Sequence, residues 1–227
     1  MQIIEIFKSL QGESSYAGVP CVFVRLAGCN LRCVWCDSEY TFKGGSRMSL
    51  EEVMQEVQRL SPKGGLVELT GGEPLLQERE AVLLMERLMA GGYKVLLETS
   101  GERPLDRVPS PVVKIVDVKC PDSGEGEAFR MENLKFLGPG DELKFVIASR
   151  TDYEFAREFI RHHELGSRVS SVILSPAFRK DATGSRDVSH CLLDPQLLAE
   201  WMLADELNAR LGLQIHKFIW DPALKGV

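Results

Sequence analysis

Strand-like apolar runs alternate with amphipathic stretches of helical spacing through most of the chain, and this alternation restricts the fold more than any other feature. Residues 3–7 read as a strand, and a polar glycine loop at residues 9–15 leads to a second strand at 21–26. Ser49 followed by Glu52 is a capping box that opens a helix to about Leu60. Strands are expected at 66–70, 93–99, 112–118, 142–148, 171–174 and 213–220. Helices are expected from Leu76 to Gly91-Gly92, weakly over 128–137, over 152–164, and over 195–211 with Asp194 as cap. Residues 175–191 read as a long polar loop. Strands that alternate with helices form a parallel sheet with right-handed crossovers. About six such units predict an α/β fold, an incomplete (β/α)6-type barrel rather than the full eight-stranded form. The organisation expected is one domain over 1–227, with a cysteine loop at 27–45 and a C-terminal strand and tail at 213–227.

Polar clusters fall just after several of these strands, and the C-terminal ends of parallel strands share one face. The first cluster is Gly28-Cys29-Asn30-Leu31-Arg32-Cys33-Val34-Trp35-Cys36-Asp37, with three thiols in a loop. Structural zinc takes four ligands and an ordinary iron-sulfur cubane takes four cysteines. Three thiols would leave one iron open to a small chelating molecule, so chemistry is favoured over scaffolding. Two other readings stay open: zinc with Cys21 as a fourth ligand, although Cys21 lies in a strand-like run, and a redox Cys33/Cys36 pair, which leaves Cys29 without a role.

Composition narrows the partners. The 227 residues are 44% hydrophobic and 26% charged, in keeping with a globular chain that buries a sizeable core. With 27 basic against 33 acidic residues the net charge is -6, and no basic block exceeds a pair, so no nucleic-acid footprint is expected. No apolar run reaches membrane-spanning length and no leader is recognisable, so no membrane partner and a cytoplasmic location are expected. Six cysteines, three of them clustered, suit a reducing compartment. His162 and His163 read as solvated surface, His190-Cys191 as loop, Met85 and Met89 as core, and Cys120 as lining the site beside Lys119.

Cys29-x3-Cys33-x2-Cys36 after one strand and Gly71-Gly72-Glu73-Pro74 after the next resemble the radical S-adenosylmethionine superfamily. Over nearly the whole chain the resemblance narrows to the 7-carboxy-7-deazaguanine synthase family. It rests on Phe7-x-Ser9-Leu10-Gln11-Gly12-Glu13, Gly18-x-Pro20, Phe23-x-Arg25, Cys36-Asp37-Ser38-x-Tyr40, Gln214-x-His216-Lys217-x-Ile219-Trp220 and Gly226-Val227. The resemblance implies a lyase that converts 6-carboxy-5,6,7,8-tetrahydropterin to 7-carboxy-7-deazaguanine with loss of ammonia. It implies a 4Fe-4S cluster, S-adenosylmethionine and Mg2+, a flavodoxin or ferredoxin as electron donor, and a homodimer. A glycyl-radical activase and a non-catalytic zinc or iron-sulfur module are the rival readings.

By the same resemblance Cys29, Cys33 and Cys36 hold the cluster and Ser38 offers one oxygen to magnesium. Leu10, Gln11, Gly12, Glu13, Arg25, Thr70 and Pro222 are expected on the pterin, with Arg25 offering a planar fork to its carboxylate. Trp35, Cys36 and Asp37 would wall the adenine, and Gly72 and Glu73 would lie against the methionyl group, where a missing Cβ lets backbone approach a ligand. Ser100, Asp117, Val118, Lys119, Ser175, Pro176, Ala177 and Phe178 would form the other edges of that pocket, and His216 would close it from the end of the last strand.

Overall fold

A computed structural model describes residues 1–227. Its strands are β1 (Gln2–Leu10), β2 (Pro20–Leu26), β3 (Ser46–Arg47), β4 (Leu66–Gly71), β5 (Lys94–Thr99), β6 (Val113–Asp117), β7 (Glu142–Ile147), β8 (Ser171–Pro176) and β9 (Arg210–Leu211). The helices are α1 (Leu50–Leu60), α2 (Glu78–Ala90), α3 (Arg150–His162), α4 (Leu165–Arg168), α5 (Pro195–Ala204) and α6 (His216–Ile219). All strands join one nine-stranded sheet in the order β3-β1-β2-β4-β5-β6-β7-β8-β9. From β2 onward every pairing is parallel, whereas β1 runs antiparallel to β2 and to β3. The sheet stays open between the β3 and β9 edges, which is the incomplete barrel expected.

Period-two alternation explains how one strand serves two environments. In β4, Val67 and Leu69 face the 36-residue core under the helices, while Leu66 belongs to a smaller cluster of six on the opposite face. Glu68 and Thr70 share Leu66's parity, so β4 carries polar groups on the concave face above an apolar floor. The floor includes Cys21, Phe23, Leu96 and Ile115, and Phe7 stacks on Phe23 with centroids 5.0 Å apart.

The capping box forms as expected: the Glu52 N–H donates to Ser49 Oγ at 3.2 Å and the Ser49 N–H to Glu52 Oε2 at 2.7 Å. Elsewhere tertiary contacts override local pattern. The expected weak helix at 128–137 shortens to a 3-10 turn over Met131–Phe136. There the buried Asn133 donates to Gly101 O and Arg103 O, both at 2.8 Å, and accepts from the Leu105 N–H, which stitches the β5–β6 connection without a helix. Ser175 and Pro176, expected in a loop, complete β8.

Two expectations at the C-terminus are corrected. The helix expected over 195–211 stops at Ala204, because Asp205 is held by the Tyr153 hydroxyl at 2.7 Å and by Arg157 at 3.3 Å, and Glu206 turns the chain with φ 47°. Arg210–Leu211 then joins the sheet instead. The strand expected over 213–220 does not form. Gly212 passes so close to β8 that a Cβ there would stand 2.5 Å from Ile173, and the Ile215 N–H then bonds Gly12 O at 3.0 Å. The segment thereby leaves the sheet edge, crosses toward the loop after β1, and coils into α6.

Candidate active site

The cysteine loop starts where β2 ends, and main-chain bonds set the start of its path. The Gly28 N–H donates to Thr41 O at 2.7 Å, Gly28 itself adopts φ 98°, and its carbonyl accepts from the Glu73 N–H at 2.8 Å. Arg32 braces the loop, stacking over Phe42 at 4.1 Å and donating to Cys29 O at 2.8 Å. Cys29, Cys33 and Cys36 are half-buried, free of disulfides, and line one cavity of about 380 Å³. Burial pushes the Cys33 thiol up to about 11, and that of Cys29 up as well, so binding of a metal would be what draws off those protons.

The donor set fits an iron-sulfur cubane with one open iron. A mononuclear zinc site would need a fourth protein ligand beside the three cysteines. Cys21 cannot complete such a site: it lies at the opposite end of β2, in the apolar floor. Cys120 is buried in the main core and does not reach the cavity.

The glycine pair, of which both members line the cavity, also makes room for the cysteine loop. A Cβ on Gly72 would meet Gly28 O at 2.4 Å and Cys29 Cβ at 2.5 Å, and one on Gly71 would meet Leu26 O at 2.3 Å. The close approach is therefore to the cysteine loop, which Gly72 lets rest on the end of β4. The Glu73 side chain is corrected. It is fully buried and saturated, accepting from Thr99 Oγ1 at 2.9 Å, from Ser100 Oγ at 2.7 Å and from the N–H groups of Ser100 and Leu75. Glu73 thus ties the end of β4 to the end of β5 and leaves Ser100, not its own carboxylate, at the cavity wall.

Asp117 and Lys119, from the end of β6, line the cavity and pair at 2.8 Å. Asp117 Oδ1 is buried without a hydrogen-bond partner. Val118, between them, points into the core, as alternation requires. Ser175, Pro176 and Ala177 are buried in and beside β8 and do not line the cavity, while Phe178 does.

On the substrate side, Leu10, Gln11, Gly12, Glu13, Arg25, Thr70 and Pro222 all line the cavity, as do Trp35, Asp37, Ser38 and His216. Arg25 Nε bonds Glu5 at 2.9 Å, and Tyr40 OH reaches the same carboxylate oxygen at 2.8 Å, so the guanidinium is aimed while its terminal nitrogens stay free. Gln11 Oε1 accepts from the Glu13 and Ser14 N–H groups, curling the loop into the barrel. Glu13 accepts from Lys144 Nζ at 2.7 Å and Gln214 Nε2 at 2.9 Å. Burial pushes its carboxyl up, but Lys144, His216 and Lys217 outweigh that and hold it at about 2. Lys217 closes the seam on Asp37 at 2.6 Å.

Several lining groups carry no sequence motif: Glu68, Glu98 and Lys144. Lys144 touches Glu13, Glu98 at 2.5 Å and Asp117 at 3.6 Å, and so sits at the centre of the charged cage. A charged residue inside an apolar strand is the signal that singled out Arg25, and the same signal marks Glu68 in Leu-Val-Glu-Leu and Lys144 in Leu-Lys-Phe.

The model of the Radical SAM superfamily matches residues 24–113. The 7-carboxy-7-deazaguanine synthase of Koribacter versatilis is 72% identical over 227 residues, covering 100% of both chains. The chain belongs to the 7-carboxy-7-deazaguanine synthase family. The synthase of Chlorobaculum tepidum is 43% identical, over 100% of this chain and 97% of its own. The crystal structure of QueE from Escherichia coli shares the fold, with a TM-score of 0.71, 24% identity and 93% of each chain covered. In synthase terms, the cavity described here opens at the C-terminal ends of the parallel strands, where a barrel enzyme places its chemistry.

Proposed function

We propose that this chain is a radical S-adenosylmethionine lyase that converts 6-carboxy-5,6,7,8-tetrahydropterin to 7-carboxy-7-deazaguanine with release of ammonia. The observation that carries the reading is one cavity with three thiols and no fourth cysteine at its rim, and a free-forked Arg25 with a polar loop deeper in. When bound, the cluster and S-adenosylmethionine supply one-electron cleavage and a carbon radical, chemistry that side chains do not provide.

The chain's own residues bind, orient and shield. Cys29, Cys33 and Cys36 hold the cluster. Trp35, Cys36, Asp37, Gly72, Ser100, Asp117, Lys119, Phe178 and His216 hold S-adenosylmethionine, with the unpartnered Asp117 oxygen as one acceptor. Leu10 to Glu13, Thr70 and Pro222 grip the pterin, and Arg25 takes its carboxylate in two parallel bonds. Ser38 gives magnesium one oxygen: its hydroxyl has only a weak 3.8 Å contact to Cys36 Sγ, whereas Asp37 is taken by Lys217. An ion that keeps several waters and binds substrate oxygens is served by one such ligand. Phe7 and Phe23 beneath the ring exclude water from a reactive carbon.

The unit is a single domain over 1–227 on chain length, and its location the cytoplasm on hydropathy and cysteine usage; its donor is a flavodoxin or ferredoxin and its assembly a homodimer on family resemblance. No helix is long and apolar enough to cross a membrane. The test is anaerobic incubation of reconstituted protein with dithionite, S-adenosylmethionine, magnesium and the carboxylated tetrahydropterin. Mass spectrometry is expected to show 7-carboxy-7-deazaguanine, with ammonia released in equal amount. Protein that binds iron and cleaves S-adenosylmethionine yet leaves the pterin intact would overturn the substrate assignment.

A further inference from the structure

Glu68 projects from the middle of β4 into the cavity and is 1% exposed. It lies two residues before Thr70 on the same face of the strand, and both line the cavity. No cation reaches it: Lys144 is held by Glu13, Glu98 and Asp117, and Arg25 by Glu5. Its one side-chain bond comes from Gln11 Nε2, at 3.0 Å to Oε2. The orientation of that amide is decided by the chain itself, because Gln11 Oε1 is occupied by the N–H groups of Glu13 and Ser14. Gln11 therefore presents a donor to Glu68, and Glu68 Oε1 is left without a protein partner.

We propose that Glu68 is a specificity-determining substrate contact whose carboxyl pairs, as donor and acceptor at once, with the lactam edge of the pterin ring, meaning the ring carbonyl and the adjacent ring N–H. The inference rests on the synthase reading above. A lone carboxylate is acceptor-only and complements two neighbouring N–H groups, whereas a carboxylic acid offers one O–H and one carbonyl oxygen and complements a lactam. Glu68 is placed to be the acid. Burial and the nearby Glu98 carboxylate both favour its protonated form well above the usual carboxylate range, with Glu13 acting in the same sense and Gln11 and Lys144 opposing. Cys21 of β2 is the other titratable neighbour, and its thiol is itself pushed up by burial. In the acid form Oε2 accepts from Gln11 with one lone pair and from the ring N–H with the other, while Oε1–H donates to the ring carbonyl.

The test compares Glu68→Gln and Glu68→Leu with the unsubstituted holoenzyme, reading KM for the pterin, product and uncoupled S-adenosylmethionine cleavage across neutral to alkaline pH. An amide keeps one donor and one acceptor, so Glu68→Gln is expected to raise KM by less than about fivefold and Glu68→Leu by more than about tenfold. KM of the unsubstituted enzyme is expected to climb at alkaline pH as the acid ionises, and that of Glu68→Gln to stay flat. A Leu variant with KM near that of the unsubstituted enzyme overturns the contact. A Gln variant as impaired as the Leu variant overturns the lactam pairing and points to an ionised carboxylate on a two-donor edge. If the Leu variant fails to fold, the Gln variant and its pH profile decide alone. Cleavage of S-adenosylmethionine without conversion by the unsubstituted enzyme overturns the synthase reading, and this inference with it; conversion with the wrong variant pattern overturns this inference only.

Discussion

At the scale of single residues, the site depends on what Gly72 lacks and on what Arg25 keeps free. A methyl group at Gly72 would stand 2.4 Å from Gly28 O, so Gly72→Ala must push the cysteine loop off β4. That variant is expected to bind less than half the iron of the unsubstituted chain after anaerobic reconstitution, while Gly138→Ala, where a Cβ meets nothing within 4 Å, binds the full amount. Iron and sulfide analysis decides it. Arg25→Ala removes the fork but touches none of the cysteines, so it is expected to cleave S-adenosylmethionine without forming product. Product at the unsubstituted rate would rule out the carboxylate contact. Glu73 shows the limit of motif reading: the position is where the motif places it, but its carboxylate is spent on Thr99 and Ser100 rather than on a ligand.

At the scale of elements, β7 is the strand that makes the interior charged. Lys144 gathers Glu13 from the loop after β1, Glu98 from β5 and Asp117 from β6, with only 3% of its side chain exposed. Removing one partner of a buried ionic cluster leaves the others desolvated and unpaired, which costs about 3–5 kcal/mol. Lys144→Met is expected to lower the urea midpoint accordingly, whereas Arg59→Met, which breaks the exposed pair with Glu56, is expected to leave it nearly unchanged. Equal shifts would mean the cage contributes no more than a surface pair. The loop from Gln11 to Ser15 is anchored at both levels of this strand, by Glu13 on Lys144 and by Ser15 on Glu142, which is why an apparently polar loop is an interior element.

At the scale of the molecule, the open sheet is closed by a seam of polar contacts rather than by strand pairing. Gly12 and Ile215 bond at 3.0 Å, and a Cβ on Gly12 would stand 2.2 Å from His216 Nδ1, so the two segments interlock without room for a side chain. The charges in this seam make it acid-sensitive. Glu13 is held at about 2 against an ordinary 4.5, so its contribution is complete above about 4.5 and is lost as the pH falls toward 2. Burial lowers His216 below its ordinary 6.5, so the unfolded chain takes up that proton first and stability also declines as the pH drops below 6.5. Both effects have the same sign. The melting temperature of Glu13→Gln is expected to fall less steeply below about pH 4.5 than that of the unsubstituted protein; equal slopes would exclude Glu13 as a source of the acid sensitivity.

Local pattern alone determined most of the parallel strands, the capping box of α1 and the three-thiol loop, because apolar periodicity and thiol spacing are properties of neighbouring residues, whereas most cavity-facing positions came from family resemblance. Tertiary structure decided the rest. Whether 195–211 stays helical depended on partners for Asp205 in α3, and whether 213–220 pairs as a strand depended on Gly12 across the gap. Lys144 interrupts an apolar strand in the sequence, and only the fold sets it against Glu13, Glu98 and Asp117. A buried charge is tolerable only beside its partners, and those partners lie up to 131 residues away in the chain.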